Sequence, residues 1–160
     1  MKAIETEYNG YRFRSRLEAR WAVYFDVCGI EYLYENQGYQ LQDGSKYLPD
    51  FEVKEYGDDG WWFFECKGRD DPEGIRKACL LDSYPPDGFW GVIIAHKPPE
   101  EIDHVQNKYF QNEMELIVQR LGIPRWLSNK AAIKARQARF EHGEKPIIER
   151  TSFYLEDVFQ

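Results

Sequence analysis

The stretch YLPDFEVKEYGDDGWWFFECK, residues 47–67, decides how the chain folds. Two apolar runs flank the Gly/Asp-rich reversal EYGDDG, and this pattern predicts a β-hairpin. Each run carries charge where a buried strand should carry none. Asp50 follows Pro49 in the first run, and Glu65 and Lys67 close the second. Side chains alternate faces along a strand, so Glu65 and Lys67 project from one face, roughly 7 Å apart. Cys66 points the other way, with Phe64 and Trp62. An ion pair flanked by Trp-Trp-Phe-Phe is costly to desolvate unless something compensates it. A divalent cation held by Asp50 and Glu65 would do so.

Working outward, Ala3–Phe13 reads as an extended arm or hairpin that turns at Asn9-Gly10. Ser15 and Glu18 form a capping-box pattern, and Leu17, Trp21, Phe25 and Cys28 follow at helical spacing up to Gly29. Ile30–Tyr34 alternates as a first core strand, and Tyr39–Leu41 is strand-like up to an Asp43-Gly44 turn. Past the central hairpin, Asp71-Pro72-Glu73 has the cap, first-turn proline and first-turn acid of a helix start. That helix should run to about Ser83 with Ile75, Cys79 and Leu80 inward. Phe89–Ala95 (FWGVIIA) is a short apolar run expected to be buried on both faces. Helices are expected over about Glu101–Leu121 and Ser128–Glu141, and Phe153–Leu155 is expected to dock back on the body. A sheet covered by helices on both faces is the natural packing for this order.

The chain of 160 residues is 42% hydrophobic and 16% aromatic, which suffices for one domain with its own core. There is no apolar run of membrane-spanning length, and MKAIETEYNG lacks a secretory apolar region. Cys28, Cys66 and Cys79 are odd in number and unpaired in spacing, which argues for reduced thiols in a cytosolic protein. The net charge of −7 weighs against nucleic acid, but its distribution reverses that inference. Acid concentrates over Asp43–Glu73 and Glu100–Glu115. Base concentrates in Tyr11–Arg20 and in Pro124–Phe140, where no acid interrupts. An acidic metal site between two basic segments suits a phosphodiester substrate.

A helical Glu, then Pro-Asp on one strand, then Glu-x-Lys on the next resembles the PD-(D/E)xK nuclease superfamily. Here these are Glu18 in RSRLEARWA, Pro49-Asp50 in YLPDF and Glu65-Cys66-Lys67 in FFECKG. The likeness covers roughly residues 8–95 and extends more loosely to small phage-encoded nucleases and Holliday-junction-resolvase-type enzymes. It implies an α/β, restriction-endonuclease-like core: a central mixed sheet flanked by helices in αβββαβ order. Residues 1–97 would form that core, and 98–160 a C-terminal helical extension packed on the same single domain. It further implies a Mg²⁺-dependent DNA endonuclease, with Mn²⁺ able to substitute. The location would be the cytoplasm, that of the host for a phage-encoded protein.

The chemistry explains these residue types independently of the likeness. Mg²⁺ takes oxygen ligands, often one or two carboxylates with water and phosphate. Asp50 and Glu65 would supply the carboxylates and Cys66 its carbonyl. Lys67 would orient water and offset developing charge. Glu18 would join a second metal or hold a metal-bound water, although the capping box alone accounts for it. Arg14, Arg16, Lys130, Lys134, Arg136 and Arg139 are the candidate phosphate contacts. His96 reads as structural, and Tyr11 and Tyr47 as packing residues. RNA in place of DNA, and a homodimer, both stay open. Two rivals remain: a non-cleaving nucleic-acid-binding module on the same fold, and a protein-interaction factor built on Trp61, Trp62, Trp90 and Trp126. Most of these tryptophans are expected in the core.

Overall fold

The computed structural model describes residues 3–67, 70–102 and 112–140. The arm is a hairpin of β1 (Thr6–Tyr8) and β2 (Tyr11–Phe13). Asn9 and Gly10 both take positive φ, at 49° and 81°, as a tight two-residue turn between twisted strands requires. Helix α1 (Arg16–Cys28) starts at the expected capping box: Ser15 accepts from the Glu18 amide, and the Glu18 carboxylate reaches back to the Ser15 amide. Gly29 ends it in the left-handed conformation. Seven of its apolar side chains are buried, from Ala19 to Cys28. So wide an apolar surface on one helix means that it is covered on more than one side.

The central sheet has strand order β3 (Tyr32–Tyr34), β6 (Phe51–Lys54), β7 (Trp61–Cys66), β8 (Phe89–Ala95). β3, β6 and β7 are mutually antiparallel, and β8 runs parallel to β7. The parallel step is made by α2 (Pro72–Ser83), as a crossover demands. The fold is therefore mixed α/β. On one face Phe51, Val53, Phe64 and Ile93 pack with α1 and the arm. Trp21 sits there against Tyr24 and Phe64, with ring centroids 5.1 and 4.8 Å away. Burying each such ring contributes roughly 1.5–3 kcal/mol. On the other face Phe63 and Val92 pack with Leu41, Tyr47, Ala78 and Leu81. Phe63 stacks on Phe89 with centroids 4.0 Å apart.

Helices α3 (Glu113–Leu121) and α4 (Arg125–Gln137) join the α1-side core through Met114, Ile117, Leu121, Leu127, Ala131 and Ala135. The alanines let α4 approach α1 closely. Arg20 on α1 donates to the carbonyls of Ala135, Arg136 and Ala138, capping the C-terminus of α4. No described helix is long and apolar enough to cross a membrane.

Several expectations need correction. Tyr47 does not belong to the central hairpin. With Lys46 it forms β5, paired with β4 (Tyr39–Gln40), and the chain breaks at Leu48-Pro49 before β6, where proline has no amide to give a ladder. Cys79 is exposed; α2 turns Ala78 and Leu81 to the sheet. Among the described strands β8 lies at the sheet edge, so it is not buried throughout: Trp90 is 65% exposed. Its edge is guarded by side chains, with the Val92 amide donating to Asp82 Oδ1 at 2.8 Å and the Val92 carbonyl accepting from Arg120. Trp126 is 48% exposed, and among the tryptophans only Trp21 reaches full burial. α4 begins three residues before Ser128 and ends at Gln137; Ser128 is buried and bonded to the Tyr24 hydroxyl. The expected helix from Glu101 is described from Glu113 on, its earlier part lying largely outside the described residues, as do Phe153–Leu155.

Candidate active site

The β6–β7 register pairs Phe51 with Phe64. Extended by one residue, it sets Asp50 opposite Glu65, at the sheet end where β6 begins and β7 finishes. The Asp50 amide donates to Glu65 Oε1 at 2.9 Å, and the Cys66 amide donates to Asp50 Oδ2 at 2.8 Å. Each carboxylate is thus oriented by the other strand's backbone. Glu65 is 0% exposed. Its Oε2 and the Tyr47 hydroxyl are the two buried side-chain nitrogen or oxygen atoms among the described residues without a well-aligned hydrogen bond, and the two groups lie close enough to interact. Lys67 Nζ lies 3.3 Å from Oε2, at ion-pair distance. The Lys67 amide donates to the Ala95 carbonyl at 2.9 Å, fixing it to the end of β8.

Glu18 reaches the same end of the sheet from α1. Its Oε2 accepts from the amides of Arg14 (2.9 Å) and Ser15 (3.2 Å) and from the Tyr34 hydroxyl (2.7 Å). Tyr34 pairs with Phe51, next to Asp50. Glu18 is therefore both the helix cap and a neighbour of Asp50.

The electrostatics record this crowding. Burial, then the charge of Glu65, pushes the Asp50 carboxyl up to about 8. Burial also raises Glu65, against the lowering influence of Tyr47 and Lys67. Glu18 is raised by burial and then by Asp50, with the Tyr34 bond opposing. Burial alone would lower the Lys67 ammonium, but Glu65 and Asp50 outweigh it and hold it above the ordinary lysine value. The Tyr47 phenol is raised, first by burial and then by Glu65. Three carboxylates that resist ionisation together form a site short of positive charge.

Cys66 places its side chain on the α1 face with Trp62 and Phe64, and burial pushes its thiol up. At the site its amide is committed to Asp50, which leaves its main-chain carbonyl as the group that could face a cation. Among the described residues no three His, Cys, Asp or Glu side chains converge as a ready metal cage. The donor set is instead two carboxylates, one with a buried oxygen that lacks a well-aligned hydrogen bond. That fits a hard cation which keeps several waters, such as Mg²⁺, better than Zn²⁺.

The basic residues are more dispersed. Arg14 Nε pairs with Glu35 at 2.6 Å beside Glu18. Arg16 opens α1, and Lys130 and Lys134 lie on α4, with Lys134 exposed. Arg136, in the last turn, pairs with Glu101, and exposed Arg139 follows the helix. Because Arg20 caps α4, the basic end of α4 meets the first half of α1, the half that carries Glu18. His96 is tied by its amide and Nδ1 to Glu113 at 2.8 and 2.9 Å. His104 and His142 lie outside the described residues. A surface cavity of about 350 Å³ lined by Gly29–Glu31 and Lys54–Asp59 holds none of the site residues; it adjoins the far end of β6.

Sequence spacing did not reveal the parts played by Tyr34, Tyr47, Asp71 and Arg20. Tyr34, Tyr47 and Arg20 meet their partners through tertiary packing, for which local periodicity carries no signal; Asp71 reads in the sequence as a helix cap, and its second partner, Lys67, lies four residues before it. Comparison of the chain with protein-family models, curated proteins and solved structures finds no match.

Proposed function

We propose that the protein is a Mg²⁺-dependent DNA endonuclease on a restriction-endonuclease-like core. One observation carries the reading: Glu65 is fully buried opposite Asp50, with Oε2 lacking a well-aligned hydrogen bond and Lys67 at 3.3 Å. Two facing carboxylates so placed destabilise the sheet unless they serve a cation. The succession α1, three antiparallel strands, α2 and a parallel β8 supports the choice of core.

Asp50 and Glu65 would hold the ion, with the Cys66 carbonyl as a further oxygen. When bound, it supplies Lewis-acid polarisation of the phosphate and a more acidic water. The backbone amides of Asp50 and Cys66 hold the carboxylates in place before substrate arrives, so little reorganisation is needed. Lys67 presents a localised positive charge where negative charge grows on the phosphorus oxygens, and it orients the attacking water. Glu18, fixed by Tyr34 and two amides, adds a carboxylate beside Asp50 that can hold a water. Arg14, Arg16 and the end of α4 form the phosphate-binding flank.

The test is a panel of labelled DNAs (duplex, nicked, flap, junction and single-stranded) and one RNA, incubated with Mg²⁺, Mn²⁺ or EDTA. Internal cleavage that needs the metal is expected. Binding without cleavage would leave a nucleic-acid-binding module. Neither binding nor cleavage would favour an interaction factor, for which exposed Trp90 and Trp126 are the obvious surface.

A further inference from the structure

Lys67 is held by more than Glu65. Its Nζ also lies 3.3 Å from Asp71 Oδ2 and 5.9 Å from the centre of the Tyr47 ring, and its side chain is 15% exposed. The other oxygen of Asp71, Oδ1, accepts from the Gly74 amide at 2.9 Å and caps α2. The ammonium rests against Gly74 itself. A Cβ at position 74 would fall 2.8 Å from Lys67 Nζ and 2.2 Å from Asp71 Oδ2. Contacts that short force something to move.

We propose that Asp71 is a positioning residue that holds the Lys67 ammonium at Glu65, and that position 74 is glycine to leave room for this clamp. The inference rests on the nuclease reading of the site, in which Lys67 touches the reacting groups.

Three physical points carry it. A lysine side chain has four rotatable bonds and loses much rotamer freedom when fixed. One carboxylate leaves its direction open, whereas two carboxylates and an aromatic face define a position. Second, the N-terminus of α2 is the positive end of a helix dipole and disfavours a cation. A neutral cap would satisfy the helix as well as Asp71 does, since Asn and Asp cap about equally; only the charge of Asp71 makes this helix end a place for an ammonium. Third, glycine inside a helix is normally unfavourable relative to alanine. Gly74 is not among the residues with positive φ, so its backbone needs no glycine, and the clamp supplies the missing reason. Asp71 is 47% exposed, so its pair with Lys67 contributes little to stability. Its effect is on position.

The test uses the full chain as wild type, Asp71→Asn and Gly74→Ala. Asparagine keeps the cap and removes the charge; alanine favours the helix and fills the clamp. Two readouts are taken. The first is steady-state cleavage of whichever labelled DNA the wild type cuts. The second is the Lys67 NH₃⁺ resonance in ¹⁵N-lysine-labelled, metal-free protein, assigned by its absence from Lys67→Ala. Asp71→Asn should melt close to wild type, because asparagine keeps the cap. The kcat of both variants should fall by about ten- to a hundredfold with KM little changed, the size typical of a lost supporting contact. The Lys67 resonance should shift or broaden. Wild-type kcat and an unmoved resonance in both variants would overturn the clamp and leave the nuclease reading standing. A wild type that cuts no DNA, with the resonance still perturbed in the variants, would overturn the nuclease reading and leave the clamp.

Discussion

Asp50 and Glu65 face each other across β6 and β7, and the Asp50 amide donates to Glu65 Oε1 at 2.9 Å. The same strand that brings in the second negative charge thus also brings a donor that orients the first. Two carboxylates so close repel when both are ionised, which the Lys67 ammonium, 3.3 Å from Glu65, offsets only in part and a bound divalent cation would offset further.

Removing either the carboxylate of Asp50 or the ammonium of Lys67 should reduce metal-dependent DNA cleavage by on the order of a hundredfold or more. Asp50→Ala and Lys67→Ala are compared with wild type at saturating Mg²⁺. Wild-type rates from either variant, with contaminating nuclease excluded, would remove that residue from the reaction.

Metal-free stability should depend on pH through Asp50. Its carboxyl is raised from 3.8 to about 8 by burial and Glu65. Below about pH 4 it is protonated in both folded and unfolded chains and contributes no difference. Between about pH 4 and 8 the unfolded chain gives up the proton and the folded one keeps it, so stability falls as pH rises. Asp50→Asn abolishes this contribution. In EDTA its melting temperature should exceed that of wild type by a margin that widens from pH 5 to pH 8. Added Mn²⁺ should raise wild type and barely move the variant. A variant that melts lower than wild type yet responds equally to Mn²⁺ would make Asp50 a structural residue.

Glu18 separates two roles. Its Oε2 accepts three hydrogen bonds, and one amide oxygen can still accept from the capped helix. Glu18→Gln should therefore keep most of the stability of α1. Loss of cleavage or of the Mn²⁺ response in this variant assigns the charge to the site; unchanged values confine Glu18 to the capping box.

Lys134 and Arg136 at the basic end of α4 should contact phosphates. Replacing both by glutamine should weaken DNA binding regardless of base sequence. The slope of log affinity against log salt should flatten by roughly one unit per lost contact. An unaltered slope would place DNA elsewhere.

Arg20 serves structure instead. Arg20→Ala deprives the carbonyls of Ala135, Arg136 and Ala138 of their donor. A charged donor of this kind is worth about 1.5–3 kcal/mol, so denaturant unfolding should show a loss of that order. A change within a few tenths would mean that water replaces the guanidinium without penalty.

Sequence alone determined the features whose cause is local. Asn9-Gly10 turns because both residues tolerate positive φ; Ser15 with Glu18, and Asp71, start helices because they satisfy orphan amides, and Pro72 fits the first position because it has no amide hydrogen to satisfy. Strand alternation put Glu65 and Lys67 on one face and Cys66 on the other, and the charge of Asp50 and Glu65 inside apolar runs marked the site. Only the tertiary structure decided the rest. Pairing of Phe51 with Phe64 set Asp50 against Glu65. The edge position of β8 left Trp90 in solvent, although its run reads as core. The approach of α4 took Arg20 out of the basic cluster and gave it to carbonyls some 115 residues away. Tyr47 went to a short outer hairpin, and there its ring came to lie beside the Lys67 ammonium. These contacts join residues distant in the chain, and their free energy depends on which surfaces meet. A single strand or helix has no such term, so no periodicity in the sequence records it.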